Sequence, residues 1–248
     1  ALCLDGDWRP SWRVELFPGY KLNRVDDDGE EEQEPDLLTP QVPLILDFFE
    51  AAGIAIVGMD DYEADDVIAT FATREKGPIR IATGDRDLFQ LVDEKRDVKV
   101  AYLAKGISNH DLVNHSWIQK KYEIPGERYA LFAMIRGDAS DGLPGIKGIG
   151  EKGAAEIAKN YSSMAELIEA AKADDSKLSP NHRKKIIADL DYASVADRLV
   201  QCARDVNLPE MDLSIPNSAK NAKYLETMKS DYGLGASVDR LLSAFNWS

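Results

Sequence analysis

Four short apolar runs punctuate the first half of the chain, and two of them lead directly into carboxylates. Ala1 to Leu4 ends at Asp5. Ile79 to Thr83 is followed by Asp85 and Asp87 in Thr83-Gly84-Asp85-Arg86-Asp87. Ile54 to Val57 and Val98 to Leu103 are the other two. Runs of this length read as buried strands. Between them lie segments with helical spacing. Val42, Leu44, Ile45, Leu46, Phe48 and Phe49 place a helix over Gln41 to Ala52, stopped by Gly53. Asp60 opens a capping-box pattern with Glu63, ahead of a helical face made of Ala64, Val67, Ile68 and Phe71. Strand alternating with helix predicts an α/β fold, a parallel sheet flanked by helices on both faces. Ligands of such sheets bind beyond the carboxyl ends of the strands, where these acids fall.

After about residue 108 the strand signal fades. Leu112 to Tyr122, Arg128 to Ile135, Gly153 to Asn160, Met164 to Ala171 and Ala193 to Ala203 have helical spacing, and Ser218 to Ser248 reads as a helical pair broken near Gly233 and Gly235. The expected organisation is an α/β core over 1–107, with a long mobile excursion at about 6–40, a helical region over 108–217 and a helical tail over 218–248. At 248 residues and 44% hydrophobic, the chain can build a sizeable core. No apolar run approaches membrane-spanning length, and the opening ALCLDGDWRP has no secretory pattern. Cys3 and Cys202 are too few for a disulfide framework, which points to a cytoplasmic protein.

A net charge of −14 argues at first against a nucleic-acid partner. The charge is unevenly spread. Asp26 to Asp36 hold eight acids and no base, and eight more acids sit in the motifs described here; with both groups set aside, the balance turns slightly positive.

Those eight motif acids are Asp5, Asp85 and Asp87 at strand ends, Glu63, Asp65 and Asp66 in the first turn of a helix, and Asp138 and Asp141 after the helix ending near Arg136. Each group taken alone also suits a cap or a turn. Converging, they would repel one another unless neutralised. Hard divalent cations answer that need. The motifs hold oxygen donors without His or Cys, which favours Mg²⁺, Mn²⁺ or Ca²⁺ over zinc. Two such metals about 4 Å apart would clamp a scissile phosphate.

Directly after these acids, Gly142 to Ala155 alternates Gly145, Gly148 and Gly150 with Ile146 and Ile149. Glycines permit tight turns with positive φ. A Gly-Ile-Gly turn opening a helix offers N–H groups to a phosphate, and Lys147 and Lys152 add charge. This is a helix-hairpin-helix pattern, which grips duplex backbone without reading sequence. Upstream, Trp8, Arg9, Trp12, Arg13, Tyr20, Lys21 and Arg24 interleave rings with cations, a mix that suits single-stranded nucleic acid. Arg183, Lys184 and Lys185 read as a solvated helix face.

With these residues assembled, the chain resembles the 5′-nuclease (flap endonuclease-like) family. Within it the chain is similar to the 5′→3′ exonuclease domain attached to bacterial DNA polymerase I and to its stand-alone bacterial relatives. The resemblance runs from Ala1 to about Pro209. It rests on Leu4-Asp5 through Tyr20-Lys21-Leu22-Asn23-Arg24, on Glu63 to Ile68, on Thr83 to Leu88, and on Gly137-Asp138 to Ala155. It implies a PIN-like sheet joined to a helical DNA-binding module. It further implies a 5′→3′ exonuclease or structure-specific flap endonuclease that uses two metals, acts in replication and repair, and works as a monomer on flaps, nicks and 5′-tailed duplexes.

By position, the resemblance assigns Asp5, Glu63, Asp65, Asp66, Asp85, Asp87, Asp138 and Asp141 to the metals. Lys21 and Arg24 become the basic pair of a helical arch at the scissile phosphate, with Arg13 and Tyr20 as further DNA contacts. Lys147, Gly148, Gly150 and Lys152 become duplex contacts, and the backbone of Gly145, Ile146, Gly148 and Gly150 a potassium site. The family pattern also has a strand bearing one more aspartate ahead of the region matching Ala1, so a preceding N-terminal segment is expected. Two other readings stay open: a DNA-structure-binding protein without turnover, and a PIN-type ribonuclease.

Overall fold

The computed structural model describes residues 1–25, 37 and 40–247. The acidic run from Asp26 to Asp36 lies outside them. Strand β1 (Leu2–Cys3) pairs in parallel with β2 (Ile56–Val57), Leu2 opposite Ile56. Strand β3 (Ile79–Thr83) pairs in parallel with β4 (Val98–Tyr102), Ile79 opposite Val98 and Thr83 opposite Tyr102. The single parallel sheet expected is therefore two pieces among the described residues. Between them lies a cleft of about 340 Å³ lined by Leu2, Cys3, Ile79, Ile81, Ala82 and Phe71.

A fifth strand, β5 (Asp111–Val113), runs antiparallel to β4. It is three residues long and begins with a charge, so it has no periodicity to read. It carries the sheet unit past the boundary expected at 107. The following helix, α4 (His115–Tyr122), starts later than Leu112 because the Asn114 side chain caps it, accepting from the Trp117 N–H at 2.8 Å.

The segment expected to be a mobile excursion is packed as far as Val25. Pro10 opens helix α1 (Ser11–Leu16), and a 3₁₀ turn follows over Leu22–Arg24. Both the N–H and the hydroxyl of Ser11 donate to the Asp61 carboxylate, at 2.6 and 2.9 Å. Helix α2 (Gln41–Ala52) ends at Gly53, whose φ of 79° is the left-handed conformation that stops a helix. Helix α3 (Ala64–Arg74) starts one step after the expected capping box: Asp61 at φ 61° breaks the run, and the box is formed by Glu63 and Asp66.

The helical region comprises α5 (Tyr129–Arg136), α6 (Glu151–Ala158), α7 (Met164–Lys172), α8 (Pro180–Ala188) and α9 (Leu190–Val200). One apolar core joins Val98, Val100 and Val113 of the sheet to Phe132 and Ile135 of α5. It continues through Ile157, Leu167, Ile186 and Leu199. Val206 and Leu208 return beneath β2 and α3 against Val57, Val67 and Phe71. The tail pair α10 (Ala222–Asp231) and α11 (Gly235–Ala244) packs Leu225 and Val238 on Ala51 of α2. No helix among the described residues is long and apolar enough to cross a membrane. The shared core brings the end of β3, the first turn of α3, the turn after α1 and the loop after α5 to one side.

Candidate metal centre

Glu63, Asp65, Asp85, Asp87 and Asp141 line one recess of about 60 Å³, together with Arg13, Tyr20, Lys21 and Arg24. The acids fall into two sets. Among the described residues the carboxylates of Asp65 and Asp87 accept no hydrogen bond, and that of Asp85, which is exposed, accepts only from the Asp87 N–H at 2.7 Å. Glu63 and Asp141 are paired with bases: Lys21 bonds Glu63, and Arg24 Nη2 donates to Asp141 Oδ1 at 2.5 Å. The Tyr20 hydroxyl also donates to Glu63, at 2.8 Å.

The loop bearing Asp138 and Asp141 is fixed by reciprocal backbone bonds between Asp138 and Leu143. It docks on the turn after α1, where the Lys21 N–H donates to the Asp141 carbonyl at 2.9 Å and Asn23 Nδ2 to the Ser140 carbonyl at 3.2 Å.

Crowding is written into the proton affinities. Burial, then the charges of Asp85, Glu63 and Asp87, push Asp65 well above the usual carboxylate range. Burial, with Asp85, Asp141 and Asp138, pushes Asp87 up to about 7. Burial also raises Glu63 against the opposing pull of Arg13 and Lys21, and Asp141 against Lys21 and Arg24. At Asp138 burial is outweighed by hydrogen bonds from Ser140 and Arg86, which hold it low.

Among the described residues, no three acids, histidines or cysteines are grouped closely enough to form a ready cage for a metal. Repulsion and the pairing of Glu63, Asp138 and Asp141 with bases account for that spacing. The donor set still fits a hard divalent ion. It is all oxygen, and its two unbonded acids strain toward protonation, a strain that a cation would relieve.

Three of the expected metal ligands stand apart from the recess. Asp5 Oδ1 accepts the Ala64 N–H at 2.7 Å and so caps α3. Asp138 is buried and bonded to Arg86 Nη2 at 2.6 Å. Asp66 is fully buried, with both oxygens taken by Arg13 and one also by the Ala203 N–H at 2.7 Å. In this structure Asp66 stands behind the recess, held by Arg13. Two expected DNA contacts are likewise engaged within the protein. Arg13 is buried, its guanidinium shared between Asp66 and Glu63, and Tyr20 is buried with its hydroxyl on Glu63. Both line the recess from behind its acids.

The glycine hairpin forms as expected. Gly145 and Gly148 have φ of 63° and 79°. A side chain at Gly145 would lie 2.5 Å from the Ile135 carbonyl, so only glycine fits that crossing. Ile146 and Ile149 are buried and anchor the turn. Gly150 leads into α6, which has no side-chain cap, so its first N–H groups remain open. Lys147 and Lys152 are exposed.

Two contacts at the hairpin were not foreseen. The Lys147 N–H donates to Asp189 Oδ2 at 2.8 Å, an anion seated where a phosphate was expected. Lys185 Nζ donates to the Gly148 carbonyl at 2.6 Å, so the basic face read as solvated braces the turn. Lys185 Nζ thus stands at one of the backbone positions expected to hold potassium. Arg86 and Arg136, which meet at Asp138, were also missed. Arg86 lies between two acids in the sequence, where no local pattern marks it out.

The comparisons with known proteins agree with this architecture. Residues 1–123 match the family model described as 5′-3′ exonuclease, N-terminal resolvase-like domain. Residues 124–223 match 5′-3′ exonuclease, C-terminal SAM fold. A 5′-3′ exonuclease of Streptomyces coelicolor is 44% identical over 245 residues, covering 97% of this chain and 81% of the relative. A 5′-3′ exonuclease of Mycobacterium tuberculosis is 38% identical over 259 residues, covering 99% and 81%. The DNA polymerase I of Mycobacterium bovis is 33% identical over 236 residues, covering 94% of this chain and 25% of the polymerase. In fold, the chain is similar to T5 5′-exonuclease with zinc ions bound, at TM-score 0.60, 17% identity and coverage of 98% and 82%. It is also similar to the catalytic core of Rad2 in complex with DNA, at TM-score 0.53, 17% identity and coverage of 95% and 76%. With both halves matched in order along nearly its whole length, the chain belongs to the 5′-3′ exonuclease family.

Proposed function

We propose that this chain hydrolyses DNA phosphodiesters at 5′ ends and flaps, using divalent metals held by Asp65, Asp85 and Asp87. Glu63, Asp138 and Asp141 would join as ligands once their basic partners move. The observation that carries this reading is the pair Asp65 and Asp87, whose carboxylates have no hydrogen-bond donor among the described residues, in a recess shared with Lys21 and Arg24. Mg²⁺ or Mn²⁺ bound there would activate water and offset charge on the reacting phosphate.

The chain's own groups do the positioning. Lys21 and Arg24, on the turn after α1, face the recess and meet the scissile phosphate as its charge grows. Arg13 and Asp66 hold Glu63 from behind. Asp5 fixes the first turn of α3 and so the direction of Asp65. At the hairpin, Lys147, Gly148, Gly150 and Lys152 grip the duplex backbone at the open N-terminus of α6. The substrate is duplex DNA with a flap, nick or 5′ tail, bound by a monomer.

Asp87→Asn and Asp85→Ala test the assignment on a 5′-flap duplex with Mg²⁺ or Mn²⁺. Both variants lose cleavage while keeping the wild-type circular dichroism and a urea midpoint no lower than that of the wild type. Wild-type rates in both would sink it.

A further inference from the structure

Asp138 sits between two arginines of opposite character. Arg86 Nη2 donates to its Oδ2 at 2.6 Å, and the Arg86 side chain is 44% exposed. Arg136 Nη2 lies 3.7 Å from the same oxygen, its side chain only 9% exposed. Neither Nη atom of Arg136 has a hydrogen-bond partner among the described residues, though both are buried. The other oxygen, Oδ1, is taken by the Ser140 N–H at 2.9 Å and its hydroxyl at 2.5 Å. Both carboxylate oxygens are therefore engaged, one of them by a side chain that reaches solvent.

We propose that Arg86 is a latch: it occupies Asp138 in the metal-free protein, and a DNA phosphate draws it away, so that DNA binding prepares the site for metal. This rests on the metal-centre reading above and adds a residue and a coupling to it. A guanidinium exchanges a carboxylate readily for a phosphate, because both accept its paired N–H groups. Release does not strand a buried charge, since Arg136 stands ready beside Asp138 with two open donors. Lys21 on Glu63 and Arg24 on Asp141 repeat the arrangement at two more acids. Arg86 differs in lying on the loop after β3, between the open acids Asp85 and Asp87. Its departure removes a fixed positive charge from the place where a cation must sit. Coupling of this kind is reciprocal: DNA tightens metal, and metal tightens DNA by the same factor.

The test is Mn²⁺ binding, read by calorimetry or electron paramagnetic resonance, with and without a flap duplex carrying a non-hydrolysable junction. Wild-type affinity rises by roughly tenfold when the duplex is added. Arg86→Gln without DNA binds Mn²⁺ about as tightly as wild type with DNA, and gains little more from the duplex. Arg86→Lys, which keeps the charge and loses the fork, falls between. Lys184→Gln removes an equal charge on exposed α8 and leaves DNA-free Mn²⁺ affinity unchanged; an equal rise there would reduce the effect to net charge and overturn the latch. Arg86→Gln with wild-type or weaker Mn²⁺ affinity also overturns it. If Asp87→Asn abolishes Mn²⁺ binding in the same series, the metal centre stands without the latch. Absence of Mn²⁺ binding by wild type, with or without DNA, overturns both.

Discussion

Arg13 and Asp66 meet fork to fork, Nη1 to Oδ2 and Nη2 to Oδ1 at 2.7 Å each, and the pair is closed off from solvent. Arg13 comes from α1 and Asp66 from α3, so the pair pins the turn carrying Lys21 and Arg24 against the helix carrying Glu63 and Asp65. Arg13→Ala leaves Asp66 and Glu63 buried beside a lost cation. It is expected to cost about 3–5 kcal/mol of folding stability, read as a lower urea midpoint. A loss under about 1 kcal/mol would place the pair among ordinary surface bridges.

The crowded acids set a pH dependence. Asp87 is raised from the usual value near 4 to about 7, and Asp65, Glu63 and Asp141 move the same way. Between those values the folded state holds protons that the unfolded state has released. Stability is therefore lost as pH rises through about 7. In EDTA, the melting temperature should be higher at about pH 5 than at pH 8. Mn²⁺ should raise it most at pH 8, where no proton has to leave. A metal-free melting temperature that climbs from pH 5 to pH 8 would contradict the crowding.

Lys185 braces the hairpin through the Gly148 carbonyl, so its ammonium is engaged by the protein itself. Lys185→Ala should weaken duplex binding severalfold with little change in the salt slope, whereas Lys152→Ala should lower that slope by about one. Fluorescence anisotropy across a KCl series separates the two effects. Unchanged affinity in Lys185→Ala would remove the brace from the account.

Because an ammonium already holds Gly148, duplex affinity should not distinguish K⁺ from Na⁺ at equal ionic strength. A clear preference for K⁺ would show that Lys185 yields its place to an ion.

Much of this was legible in the sequence because it depends on local pattern. Gly53 stopping α2, the strand Ile79–Thr83 running into Asp85, and the Gly-Ile-Gly hairpin each follow from residue type and spacing. The roles of Arg13, Tyr20 and Asp66 were not legible. A cation among aromatics looks the same in a sequence whether it faces DNA or a buried carboxylate, and only the meeting of Arg13 with Asp66 in the fold decides. Lys185 and Asp189 lie some 40 residues beyond the hairpin they touch, so no spacing rule links them. Strand β5 is too short to carry a period. Helix α8 did announce itself, through Ser179 as cap and Pro180 in its first turn, but its mixed face hid the apolar side that buries Ile186.

The most direct measurement is cleavage of a 5′-labelled flap duplex by the purified protein, with Mn²⁺ and then with EDTA, with duplex binding followed in both. The account predicts release of the flap with Mn²⁺, none with EDTA, and binding that persists through the hairpin in either. A folded protein that binds the duplex equally in both conditions and releases no flap with Mn²⁺ would contradict it.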